Sequence, residues 1–144
     1  MGDAILPSTR SPFGRRVHQR LTEEQVIWFT SIAADGTPQP NPVWFIWQDP
    51  ASVLTYNRAD AFRLGHIRQR PRVALHFDGN GRGGNIVVLT GSAEIAPDEP
   101  APHEHEQYLN KYRKAMIRVS GSLEGFSAAY PVGVRVQVER IRGF

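Results

Sequence analysis

Apolar positions along the chain follow two rhythms, and their order predicts the architecture. Phe13, Val17 and Leu21 recur four residues apart among Arg15, Arg16, His18, Gln19 and Arg20, the spacing of an amphipathic helix with His18 on its wet face. Val26 to Ala33 is rich in β-branched and aromatic residues, which favours a strand. Asp35-Gly36 follows, a dipeptide suited to a two-residue hairpin turn because both residues tolerate positive φ. The returning strand is Val43 to Trp47, entered through Pro38, Pro40 and Pro42, which have no N–H for a ladder and mark a strand entry or an edge. Ser52 to Tyr56 reads as a third strand. A short helix then runs from Asp60 as N-cap through Phe62, Leu64 and Ile67 until Pro71 ends it. Val73 to Phe77 and Asn85 to Ala96 are strands four and five, on either side of the glycine-rich loop 78–84. Tyr108, Leu109, Tyr112 and Met116 give Glu104 to Ile117 a helical period. Gly121, Gly125 and Pro131 break the chain, and Val132 to Ile141 alternates strictly as a sixth strand.

Six strands with hairpin-type connections and three helices predict a mainly β fold: a six-stranded antiparallel barrel capped by helices, not a doubly wound sheet. Residues 1–12, with Pro7 and Pro12, are expected to form an irregular N-terminal arm, and residues 13–144 one domain. At 144 residues and 40% hydrophobic, the chain is long enough for one core. It has no cysteine, which excludes a disulfide scaffold, a thiolate metal site and a cysteine nucleophile. No apolar run nears the roughly 20 residues of a membrane span, and no secretory leader is legible, so a cytoplasmic protein without a membrane partner is expected.

A net charge of +3 invites a nucleic-acid reading, but the cations lack interleaved exposed aromatics of the stacking kind, so no nucleic-acid partner is expected. Of 17 Lys and Arg residues, only Lys111 and Lys114 are Lys. Arginine suits planar capture of phosphate or carboxylate, and GC-rich codon usage gives the same bias. His103-Glu104-His105-Glu106 resembles a metal tract, yet residues two apart do not share a helix face, and a solvated helix start is expected. Loop 79–84 follows a strand without opening a helix, so it lacks the context of a phosphate loop. No Gly-x-Ser-x-Gly elbow supports a hydrolase.

The segment that points to chemistry is Thr55-Tyr56-Asn57-Arg58-Ala59-Asp60-Ala61-Phe62-Arg63, where a strand ends and a helix begins. Backbone N–H groups in such a turn, the helix N-terminus, and Arg58 and Arg63 can together hold an anion. Surface arginines lying over the helix would produce the same pattern. Trp44, Phe45 and Trp47 could line a flat apolar wall beside it or pack a core.

Three segments together resemble the split β-barrel family of pyridoxamine 5′-phosphate oxidases and flavin/deazaflavin-dependent oxidoreductases. They are Asp35 to Phe45 (DGTPQPNPVWF), Tyr56-Asn57 through Arg63 to Leu75, and Gly91-Ser92-Ala93-Glu94. The resemblance covers about residues 13–142. It implies an FMN-binding type of split barrel, forming a homodimer with the cofactor ring in the groove between subunits. Arg63 matches the position where the family usually has a phosphate-binding Lys. Arg58 is expected to hold the phosphate with Arg63, supported by Tyr56 and by Asn57, which matches the polar turn residue, and Pro42, Val43 and Trp44 match the strand along the ring. Ile86 stands where pyridoxamine-phosphate oxidases place Gln, which points away from vitamin B6 oxidation. The PVWF hairpin is similar to the branch that uses the deazaflavin F420, implying hydride transfer to an organic acceptor that loops 78–84 and 118–130 would contact. The alternatives are an FMN-dependent reductase or oxidase, and a non-catalytic flavin, deazaflavin or haem carrier. Trp28, Trp44 and Trp47 are candidates for the aromatic surface of a dimer.

Overall fold

The computed structural model describes residues 5–144; of the expected arm, residues 1–4 lie outside that range. Helix α1 (Pro12–Glu23) opens on the Ser11 side chain, which accepts from the Gly14 N–H at 2.9 Å, and buries Val17 and Leu21. Strands β1 (Ile27–Ile32), β2 (Pro38–Val43), β3 (Ile46–Gln48) and β4 (Ser52–Asn57) lead to helix α2 (Phe62–Gln69). Strands β5 (Arg72–His76) and β6 (Val87–Ile95), helices α3 (Glu106–Ser120) and α4 (Leu123–Ala129), and strand β7 (Val132–Gly143) complete the chain. Among the described residues no helix is long and apolar enough to cross a membrane.

The strands form one antiparallel sheet in the order β2-β1-β5-β6-β7-β4-β3. Its two edge strands are separated in sequence only by Trp44 and Phe45. A linker that short reaches about 10 Å, so the sheet must curl until its edges nearly meet, which makes it a split barrel. Seven strands form, not six, because the expected strand 43–47 is interrupted at Trp44-Phe45. The prolines that were to precede it lie inside β2 instead, where Pro38, Pro40 and Pro42 pair opposite Ile32, Thr30 and Trp28. Alternate residues of a strand bond to the same side, so Gln39, Asn41 and Val43 serve the ladder and the missing N–H groups fall on the outer edge.

The β1–β2 connection also differs from the two-residue turn expected. Gly36 N–H donates to the Ala33 carbonyl at 2.9 Å, and in this turn Gly36 alone takes positive φ, +87°. A type I turn closed by a glycine needs only that one left-handed residue. Gly91 answers to sterics: it sits at the bulge where β6 crosses β7, and a Cβ there would lie 2.0 Å from the Gln137 carbonyl oxygen.

Phe29, Phe45, Val53, Leu75, Leu89, Val134 and Val136 fill the barrel, with Val17, Leu21, Leu64 and Ile67 contributed by α1 and α2. Strand β4 is buried on both faces, because Leu54 and Tyr56 face a second cluster with Tyr108, Tyr112, Met116 and Phe126 of α3 and α4. Helix α4 escapes the sequence reading: Gly121, left-handed at φ +82°, ends α3, and Ser122 caps the next helix by accepting from the Gly125 N–H. The His103–Glu106 tract is not a solvated start either. His105 is buried; its Nδ1 accepts from the Tyr108 N–H at 3.4 Å and its Nε2 meets Glu99 at 3.1 Å, while His103 Nδ1 meets Ser127 Oγ at 2.7 Å. His18 is half-buried, with Nε2 3.1 Å from the Pro7 carbonyl.

Candidate functional site

Where β2 ends, the buried strand β4 runs out beside the start of α2, and α3 and α4 close over both. Between them lies a cavity of about 440 Å³. Pro42, Val43, Trp44, Tyr56, Asn57, Arg58 and Arg63, the residues singled out from sequence, all line it. Val26, Ala61, Tyr108, Val119, Phe126 and Tyr130 complete the wall.

One end is polar and built from β4 and α2. Asn57 is 1% exposed; its amide donates to Thr55 Oγ1 at 3.1 Å and to the Val132 carbonyl at 3.2 Å. Both donors are thereby used, leaving Oδ1 to accept from Arg63 Nη1 at 2.5 Å. Arg63 Nε is buried with no partner. Burial pulls the Arg63 guanidinium below its ordinary value, with no carboxylate beside it in compensation. A buried cationic donor left orphaned is costly, and an anion that reached it would remove the cost. Arg58 differs: it is exposed and pairs with Asp60 at 3.4 Å. Asp60 is therefore not the cap of α2. That position falls to Ala61, which offers no side-chain acceptor, so the first turn keeps its positive end uncapped beside the arginines. These features fit a phosphate group. Farther along the chain, Arg70 holds the Ile32 carbonyl and Arg72 pairs with Glu139, so neither is committed here.

The other end is aromatic. Trp44 lies nearly parallel to Tyr112, centroids 4.8 Å apart at 3°, and to Phe126 at 5.5 Å and 8°. Stacking fixes its plane, and a fixed plane suits a flat ring. Phe45 and Trp47 do not join it. Phe45 is fully buried in the barrel, and Trp47 turns to a separate groove with Asp49, Gln107 and Lys111. Lys111 sits 3.8 Å over the Phe45 ring and donates to the Phe45 carbonyl at 2.9 Å; burial pulls its ammonium down to about 8.

Of the segments expected near an acceptor, 118–130 supplies Val119, Phe126 and Tyr130, and loop 78–84 supplies nothing to this wall. Asp78 is occupied elsewhere, accepting from Trp28 Nε1 and Arg20. Tyr108 escaped the sequence reading because helical spacing marks a packed face without showing which packed residues border a void.

A profile of the family described as pyridoxamine 5′-phosphate oxidase matches residues 13–143. No curated protein matches the chain. Among solved structures, a conserved hypothetical protein of Mycobacterium tuberculosis superposes with a TM-score of 0.66 at 19% identity, over 99% of this chain and 87% of that one. An F420 reductase superposes at 0.63 with 21% identity, over 86% and 94%. HutZ, the haem storage protein of Vibrio cholerae, superposes at 0.62 with 12% identity, over 90% and 92%. At such identities the likeness is one of fold.

Proposed function

The chain belongs to the pyridoxamine 5′-phosphate oxidase family, and from that premise we propose that it is an oxidoreductase holding the deazaflavin F420 in the cavity. The observation that carries the reading is Arg63, a buried guanidinium with an orphaned Nε beside an uncapped helix start, in the same cavity as the stacked Trp44. In this reading Arg63, positioned by Asn57 and with Arg58 and Tyr56 around it, holds the phosphate, while Trp44 and the backbone at Pro42 and Val43 flank the ring. The bound deazaflavin supplies hydride chemistry at its C5. The protein's own part is to orient an acceptor over the ring and exclude water. That an F420 reductase shares the fold supports this choice of ring.

The same reading includes a homodimer closing over the cavity. Phe62 is 87% exposed, and it lies between Ala61 and Arg63 of the cavity wall; Val26 and Val119 of that wall are also exposed. A phenylalanine so placed gains by being covered. Trp28, Trp44 and Trp47, expected on such a surface, are half-buried. Equilibrium sedimentation is expected to find a dimer that Phe62→Asp splits.

Fluorescence titration of cofactor-free protein tests the cofactor. Tighter binding of F420 than of FMN is expected. The opposite order would transfer the reading to an FMN enzyme, and binding of neither would remove it.

A further inference from the structure

The groove that takes Trp47 has a volume of about 440 Å³, as large as the first cavity, and shares no lining residue with it. Leu21 of α1 and Ile46 and Trp47 of β3 give it apolar surface, and Asp49 and Gln107 fix the tryptophan. Trp47 Nε1 donates to Asp49 Oδ1 at 3.0 Å, and its carbonyl accepts from Gln107 Nε2 at 2.5 Å. Lys111, one of two lysines in the chain, lines the same groove and is half-buried there. Its Nζ lies 3.8 Å over the Phe45 ring and 5.2 Å from the Tyr112 ring, and donates to the Phe45 carbonyl at 2.9 Å. Among the described residues no carboxylate bonds to it, and Glu24 acts on it through charge alone. An amine set between aromatic rings with one neutral acceptor has given up much of its hydration without gaining a counter-ion.

We propose that this groove captures a small uncharged aldehyde, which Lys111 holds reversibly as an imine. The inference stands apart from the cofactor reading, since no residue of the first cavity takes part in it. A lysine kept out of water is a nucleophile toward carbonyl carbon because its neutral form is accessible. Burial pulls the Lys111 ammonium down to about 8 against the opposing charge of Glu24. At pH 7.5 about a quarter of the protein then carries the free amine there, against about one in a thousand for an ordinary lysine. The apolar surface of Leu21, Ile46 and Trp47 suits the body of the aldehyde, and the volume exceeds that of a single aromatic ring with its formyl group. The acidic Asp49 and Glu24 beside the groove disfavour an anionic aldehyde, so the ligand class is the uncharged one.

The step is a condensation without redox change. The Nζ lone pair forms a bond to the aldehyde carbon, the carbonyl π pair moves to oxygen, and a proton passes from nitrogen to that oxygen through water, giving a carbinolamine. Loss of the hydroxyl with the remaining nitrogen proton, as one molecule of water, leaves the carbon–nitrogen double bond. Hydrolysis reverses each step and releases the aldehyde unchanged.

Lys114, exposed one turn farther along α3, serves as the comparison within the same molecule. Wild-type protein is incubated at pH 7.5 with benzaldehyde and sodium cyanoborohydride, which reduces an imine to a stable benzylamine, and peptide mass mapping follows each lysine over time. Benzylation of Lys111 is expected about 10-fold or more faster than that of Lys114, with a rate that saturates as benzaldehyde rises, as binding in a groove requires. With 4-carboxybenzaldehyde, an anion of nearly the same shape, the advantage of Lys111 over Lys114 is expected to shrink about 10-fold. Because both rates come from the folded wild-type chain, no variant has to fold for the test to read. Labelling of Lys111 no faster than Lys114, a Lys111 rate that rises linearly without saturation, or an equal advantage with the anionic aldehyde overturns the proposal. None of these outcomes bears on the F420 titration, so the two readings fail separately.

Discussion

Replacing Arg63 by Met separates a binding role from a structural one. In the ligand-free fold the change has two opposed effects. It removes a buried donor, Nε, that has no partner, a relief of about 1–3 kcal/mol. It also strips Asn57 Oδ1 of the 2.5 Å bond from Nη1, a loss of similar size because Asn57 is 1% exposed. The methionine stem keeps most of the packing. The net change in stability is therefore expected within about 1 kcal/mol, a shift in Tm of up to about 4 °C for a chain of this length. Phosphate binding has no such offset. A charge-assisted hydrogen bond is worth about 1.5–3 kcal/mol, so the dissociation constant of F420 is expected to rise about 10- to 150-fold. Calorimetric unfolding of the ligand-free variant and fluorescence titration of the same preparation read the two effects. A large fall in Tm with unchanged affinity would refute the reasoning and make Arg63 a strut of the β4–α2 corner. Arg63→Lys keeps the charge without the planar fork, and an intermediate affinity is expected.

Gly91→Ala puts a Cβ 2.0 Å from the Gln137 carbonyl oxygen, so β6 and β7 must part at their bulge; a loss of about 1–3 kcal/mol or more is expected in urea unfolding. Glu99 receives Arg135 at 2.8 Å, Gln48 at 3.2 Å and His105 at 3.1 Å. Its burial works to raise its carboxyl, but the bonds from Arg135 and Gln48 and the charge of Arg135 hold it below the usual carboxylate range. Stability from Glu99 is thus present above the ordinary glutamate value and lost as pH falls through the depressed one. Glu99→Gln is expected to unfold at lower urea than wild type at neutral pH, the gap narrowing on acidification. Lys111 gives the same sign of pH dependence from the opposite cause, its charged form being disfavoured by burial. Its ammonium is buried at a cost, and since it loses its proton near pH 8 in the folded chain and near 10.5 when unfolded, wild type should gain stability relative to Lys111→Met between those values. A flat difference across that range would show that the ammonium is fully hydrated.

Much of this molecule was legible in its sequence where neighbours along the chain decide the outcome. The four-residue spacing of Val17 and Leu21, the alternation from Val132, and the residue types after Val26 each report local geometry and the face that geometry buries, and the elements formed where those patterns lie. The segment from Tyr56 to Arg63 was marked by its residue types alone: polar, basic, and set between a strand and a helix. What the sequence could not decide depends on contacts between distant positions. Whether Trp44-Phe45 continues a strand or breaks it follows from the closure of a seven-stranded sheet whose edges both adjoin that dipeptide. His105 reads as solvent-facing until Glu99 and Tyr56 close over it. Asn57 determines the state of Arg63 only because Thr55 and Val132 have already taken its amide. Periodicity identifies which residues are buried; which buried polar groups remain unsatisfied, and so able to bind, is settled by the tertiary hydrogen-bond network.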